Sequence, residues 1–181
     1  MKSAFDPEDV LRLPLMANLA TLAEDGAPRN APVWFAWEAG ALWMLGSAES
    51  ASVRRVARDP RVAVEIVDYD NAAGILRHLG LRGRATVEPM DAALFRRLLT
   101  RYLGPPQAWN PWFVDEIARV DDPSGRLIRL VPDTVFANDA SFFRTGPDLA
   151  TGQAPPRGPA GGIGGPPPAG PRPRSRGREP S

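Results

Sequence analysis

The chain has no cysteine and only one histidine, His78. Without cysteine there is no disulfide, no thiolate nucleophile and no Cys-type zinc site. One imidazole makes neither a nucleophilic triad nor a histidine-ligated metal cluster. No apolar run approaches the ~20 residues that span a bilayer, and Met1–Asp6 lacks the hydrophobic core of a signal peptide. The expectation is a soluble, cytoplasmic protein. No Gly-Xaa-Gly-Xaa-Xaa-Gly follows a strand and there is no Gly-Xaa-Ser-Xaa-Gly elbow, so neither a Rossmann nucleotide site nor an α/β-hydrolase nucleophile has support.

Proline and glycine, by contrast, are abundant and unevenly placed. Residues 146–181 hold 10 of the 21 prolines and 9 of the 17 glycines. Such a segment buries too little apolar surface to offset the entropy of ordering its backbone, so it is expected to be a disordered tail. That leaves residues 1–145 as one domain, long enough for a proper core. The net charge of +1 divides into +3 on the arginine-bearing tail and −2 on the rest. A nearly neutral body argues against a broad nucleic-acid-binding face. The tail reads as a solubilising extension, with contact to acidic partners as the other reading.

Along the body, Asp6-Pro7-Glu8-Asp9 opens a helix that Pro14 ends. Met16 to Ala23 alternates as a strand, and Glu24-Asp25-Gly26 turns the chain into a second strand, Asn30 to Glu38, apolar on both faces. Ala39-Gly40 leads into Leu42–Leu45, which makes a three-strand meander. Ser50 can cap a helix running to about Arg58. Arg61 to Val67 is a strand followed by a loop at Asp68–Asn71. Ile75 to Val87 is a long strand bent near Gly80 and Gly83. Pro89 to Leu103 repeats apolar residues at helical spacing, and Trp109 to Val120 reads as a short helix. Arg126 to Val131 and Thr134 to Ala137 read as two closing strands. With about seven strands, three or four helices and no βαβ pattern, the fold class is mainly β: a barrel with peripheral helices.

Two stretches carry a resemblance beyond this: "ATLAEDGAPRNAPVWFAWEAGALWML" from Ala20 to Leu45 and "RRVARDPRVAVEI" from Arg54 to Ile66. It continues more weakly through "LRGRATVEP" (Leu81–Pro89) and "IRLVPDTVF" (Ile128–Phe136). In order and spacing these resemble the FMN-binding split barrel of the pyridoxamine 5'-phosphate oxidase-like superfamily. The resemblance implies a homodimer holding FMN between its subunits, and oxidoreductase chemistry on a small molecule. It also implies where the cofactor lies. The isoalloxazine ring is placed along Arg29, Asn30, Ala31, Pro32, Val33 and Trp34, where a flat apolar wall and backbone polar groups suit it. The phosphate end is placed on Leu45, Gly46, Ser47, Ser50, Ala51 and Ser52, beside a helix start.

Here the chain departs from many relatives, which carry Lys or Arg where it has Ala51 or Ser52. Arg54 or Arg55, one turn along, can replace that cation or lie on a solvated helix face. His78, five residues before Gly83, matches a glutamine that touches the flavin's polar edge in the oxidases. Its ring could steady charge on a reduced flavin, or it is an ordinary strand residue. Trp37 divides between ligand wall and core, while Trp34 is read as facing the ligand. No catalytic residue is assigned. Trp109–Phe113 could cap a pocket or pack on a partner. The basic motif with which authentic pyridoxamine-phosphate oxidases grip substrate phosphate is missing. Three functions stay open: an FMN-dependent oxidoreductase, a reductase using a deazaflavin coenzyme, or a non-catalytic flavin- or haem-binding module.

Overall fold

A computed structural model of the chain describes residues 5–119 and 124–141. The expected tail, 146–181, lies outside the described residues, as does the end of the Trp109–Val120 segment. The elements in order are α1 (Pro7–Leu11), β1 (Ala17–Leu22), β2 (Pro28–Val33), β3 (Phe35–Glu38), β4 (Ala41–Ser47), α2 (Ala51–Arg58), β5 (Arg61–Asp70), β6 (Ile75–Pro89), α3 (Ala92–Leu103), a 3-10 turn at Pro106–Ala108, α4 (Pro111–Ala118) and β7 (Gly125–Asp139). The described strands form one antiparallel sheet in the order β2-β1-β5-β6-β7-β4-β3. β2 and β3 stand at opposite ends of that order, yet only Trp34 separates them. One residue spans no more than a few ångströms, so chain continuity draws the two ends together and the sheet closes into a barrel.

This corrects the expected meander. The stretch Asn30–Glu38 is not one strand: its first half pairs with β1 (Asn30 with Ala20) and its second with β4 (Phe35 with Met44). Two further boundaries differ. Asp68–Asp70 extends β5 and pairs with β6 rather than forming a loop. The two closing strands are one, β7, running through Pro132. Proline has no N–H to give the ladder, but Pro132 sits opposite Gly83, where the register with β6 shifts, and a bulge tolerates it. A Cβ on Gly83 would lie 3.0 Å from the Val131 carbonyl, so that close approach needs glycine.

The period-2 alternation of the strands fills the barrel. Leu19, Val64, Leu81, Leu42 and Ile128 point inward and are buried, joined by Phe35 from β3. Val53 and Val56 of α2 reach this core at one end, and Val10 and Leu11 of α1 also join it. A second cluster lies outside the sheet, where Leu94 and Leu98 of α3 cover Ala36 of β3 and Leu127 of β7. The helix caps follow the sequence: Asp6, Ser50 and Asp91 each accept from a backbone N–H of the first turn. The β3–β4 turn has positive φ at both Ala39 (50°) and Gly40 (72°), the geometry of a type I′ hairpin.

Candidate functional site

No helix in this set covers the outer face of β2-β1-β5-β6. Alternation places Asn18 and Ala20 of β1, Asn30 of β2 and Glu65 of β5 there. His78, Gly80 and Arg82 of β6 follow, and Phe136 of β7 pairs with Gly80, where an added Cβ would meet the Phe136 side chain at 3.8 Å. These residues line a groove of about 370 Å³. In it His78 Nδ1 lies 3.2 Å from Glu65 Oε1. Of the sequence-predicted residues, Asn30 and His78 meet here. Glu65, Arg82 and Phe136 were missed. The signal was in the spacing of β6, whose residues 78, 80 and 82 share a face.

A larger cavity, about 560 Å³, opens at the end of β4. Leu45, Gly46, Ser47 and Ser50 form one wall, as the phosphate-end placement has them. The lining also includes Phe95 of α3, which sequence reasoning did not place, and Trp112 of α4, from the segment read as capping a pocket or packing on a partner. A side chain at Gly46 would clash, since its Cβ would stand 2.6 Å from Val53 Cγ2. The chain therefore approaches α2 closely at the cavity wall. Ser50 caps α2 by accepting from the Val53 N–H (3.4 Å), and its hydroxyl donates to the Ser47 carbonyl (2.9 Å). Ser52 Oγ lies 3.4 Å from Ser50 Oγ.

Arg55 lies in neither of these. It lines a third depression with Arg54, Arg58 and Ala51, on the flank of α2. Its Nε donates to Oγ1 of Thr21 at 2.7 Å. Arg29, Ala31, Pro32 and Val33 lie on β2, an end strand whose one partner is β1. Its far edge therefore presents backbone groups with no strand to receive them, with more C=O than N–H because Pro28 and Pro32 have no N–H to give.

Trp34 sits at the β2–β3 corner. Its ring stacks on Tyr102 of α3 (centroids 4.8 Å apart, 3° between planes) and on Phe113 of α4 (5.7 Å). Trp37 packs against the barrel core. Tyr102 also ties the corner through its hydroxyl, which accepts from the Phe35 N–H at 3.0 Å and donates to the Leu15 carbonyl at 2.7 Å. Burial raises the Tyr102 pKa above its usual value. Among the described residues, no three His, Cys, Asp or Glu side chains gather as a metal site, and no helix is long and apolar enough to cross a membrane.

The sequence profile of pyridoxamine 5'-phosphate oxidase matches residues 8–139, nearly the whole described barrel. The chain belongs to that family. Its fold is the family's split barrel, and the family is one of flavin-binding proteins. Among solved structures, the chain is 26% identical to an F420 reductase, with a TM-score of 0.58 over 75% of this chain and 98% of that one. A conserved hypothetical protein from Mycobacterium tuberculosis is 23% identical, with a TM-score of 0.62 over 91% and 94%. A haem storage protein from Vibrio cholerae is 17% identical, with a TM-score of 0.56 over 75% and 94%. The last two likenesses concern the fold alone. No curated protein matches the sequence.

Proposed function

We propose that two copies of this chain bind a flavin-type cofactor and use it for oxidoreduction of a small organic molecule. The observation that carries this reading is the open edge of β2 in a chain of this family. Unpaired backbone groups of β2, in which Pro28 and Pro32 leave more acceptors than donors, suit the polar edge of a fused-ring cofactor, and Ala20, Gly80 and Phe136 in the adjoining groove suit its flat body. Asn30 and His78 share the adjoining groove, and Leu45, Gly46 and Ser47 line the cavity at the end of β4. The close packing of Gly46 on Val53 leaves cavity wall where any larger residue would intrude. The cofactor would supply the redox chemistry. The chain would supply position, exclusion of water and hydrogen bonds to the ring.

The same geometry supports the homodimer reading. Among the described residues, no helix lies over the outer face of β2-β1-β5-β6, and the β7 segment beyond Leu130 pairs with β6 on one side and has no β4 partner on the other. On that segment Val131, Val135 and Phe136 are 46, 46 and 51% exposed in the single chain, Phe136 on the outer face and its neighbour Val135 on the other. A half-paired strand with exposed apolar side chains is stabilised by a second copy.

FMN is the first reading of the cofactor. A deazaflavin is the second, favoured by the likeness to an F420 reductase and by Ala51 and Ser52 at the start of α2. The test is the absorbance spectrum of the purified full chain, followed by titration with FMN and with a deazaflavin. Flavin bands, and a flavin released on denaturation, are expected. A Soret band in their place indicates the haem-binding module. A colourless protein that neither cofactor titrates overturns the proposal.

A further inference from the structure

The flank of α2 that meets the β1–β2 hairpin carries three guanidinium groups around one depression of about 390 Å³, those of Arg54, Arg55 and Arg58, with Glu24 as the single carboxylate in its lining. Arg55 is held from below by Thr21, which is 2% exposed and the one buried polar residue found in the described core. Arg58 Nη2 donates to the Leu22 carbonyl at 2.8 Å, and Arg54 donates to the Glu49 carbonyl. None of the three joins the described ion pairs.

A guanidinium has five N–H donors, so each of these keeps several after its contact with the protein. Arg54 and Arg58 are also like charges one helical turn apart, a spacing that disfavours the helix unless an anion intervenes. Cations near the C-terminus of α2 gain from the helix dipole, but that effect needs neither a shared depression nor a buried hydroxyl anchoring one of them. The tip of α2 is differently disposed. Residues 50–53 carry no cation, and the Ser50 hydroxyl is committed to Val53 and Ser47.

We infer that this depression is an anion-binding site for phosphate-type oxyanions, and for two such groups joined together rather than one. The backbones of Arg54 and Arg58 stand about 6 Å apart along the helix axis, their guanidiniums are held at separate carbonyls, those of Glu49 and Leu22, and Arg55 is fixed between them in sequence. That spread suits a diphosphate, whose oxyanions can each meet a separate guanidinium. The ligand is either free diphosphate or the phosphate-bearing end of the cofactor. The second source rests on the flavin reading above, and the site itself does not.

Calorimetric titration of the full chain with inorganic phosphate, pyrophosphate, riboflavin, FMN and FAD tests this. The comparison variants are the double substitution Arg54→Gln/Arg58→Gln and the single Arg55→Gln, which keeps a donor for Thr21. Pyrophosphate is expected to bind more tightly than phosphate, to weaken as ionic strength rises, and to lose at least about tenfold in the double variant, the size of one charge-assisted hydrogen bond. If the anion belongs to the cofactor, FMN or FAD binds at least about tenfold more tightly than riboflavin, and the double variant removes that difference. Pyrophosphate binding that the variants abolish, in a chain that binds no flavin, upholds the site while the flavin reading fails. Flavins that bind with or without phosphate alike, in a chain with no affinity for pyrophosphate, overturn the site while the flavin reading stands.

Discussion

Replacing Tyr102 with Phe removes one oxygen atom and leaves the stack on Trp34 in place. That oxygen holds the corner at which the chain passes from one end of the sheet to the other. It accepts from the Phe35 N–H and donates to the Leu15 carbonyl, with the Phe35 carbonyl also within 3.2 Å. Phe35 is fully buried, so its amide finds no water when the hydroxyl is gone. A buried donor left unsatisfied costs about 1–3 kcal/mol. For a domain of this size each kcal/mol lowers Tm by roughly 3–5 °C, so a cost of about 2 kcal/mol corresponds to a fall of roughly 6–10 °C. Tyr102→Leu also removes the ring stack, worth about 0.5–1.5 kcal/mol more.

The pH dependence gives a second check on the same residue. Burial raises the pKa of Tyr102 in the folded chain above its ordinary value of 10.0. The folded state therefore holds this proton to higher pH than the unfolded state does. The associated stability is fully present below the unfolded pKa and is lost as pH rises through the folded one. The parent protein is expected to lose stability above pH 10 more steeply than Tyr102→Phe does. Thermal denaturation followed by circular dichroism, with hydrogen exchange at the Phe35 amide, measures both effects. A Tyr102→Phe variant within about 1 °C of the parent, with undiminished Phe35 protection, would refute the role given to this hydroxyl.

Three other substitutions probe other parts of the molecule. Gly46→Ala places a Cβ 2.6 Å from Val53 Cγ2 and should cost about 1–3 kcal/mol by overpacking. Adding Val53→Ala should make the pair less destabilised than the sum of the two singles, a coupling that chemical denaturation resolves. Asp59 accepts from the Arg61 side chain and from its backbone N–H, which together lower its pKa from 3.8 to about 2. The stability it lends is present above the unfolded pKa and is lost as pH falls through about 2. In a carboxyl NMR titration, Arg61→Ala should bring Asp59 back toward 3.8. Phe136→Glu sets a charge on the outer sheet face, and light scattering should then show a monomer or a dimer at least about tenfold weaker. An unchanged dimer would place the subunit contact elsewhere.

Where sequence reading worked, the cause was local. Asp6-Pro7 and Ser50 start α1 and α2 because a side-chain oxygen and a first-turn N–H are two or three residues apart. The leucine stripe of α3 is visible because both neighbours of each leucine lie on the same helix. What failed depended on distant partners. Val33, Trp34 and Phe35 are equally apolar, and nothing in them says that the first pairs with β1 while the last pairs with β4. The ring contacts of Trp34 likewise come from Tyr102 of α3 and Phe113 of α4, far along the chain. The candidate site divides the same way. Ser47 and Ser50 are neighbours in sequence and line one cavity, whereas the groove around Asn30 and His78 needs β5 and β6 brought beside β1.

The distribution of charge around α2 ties fold to function. The start of α2 carries Ala51 and Ser52 rather than a cation. In this chain the end is closed by Ser50, and the free guanidinium donors lie on the flank, one of them anchored to a threonine inside the barrel. An anion on the flank sits beside Thr21, near the point where the β1–β2 hairpin leads into β2. A cofactor ring laid along the β2 edge and an anionic group on the α2 flank would thus be positioned by one hydrogen-bonded unit, from Arg55 through Thr21 to the Arg29 carbonyl. Replacing Thr21 with Val keeps the volume of the side chain and removes its hydroxyl. If that unit sets the geometry, Thr21→Val weakens pyrophosphate and FMN together, by comparable factors. Loss of affinity for one with the other unchanged would show that the two ends are positioned independently.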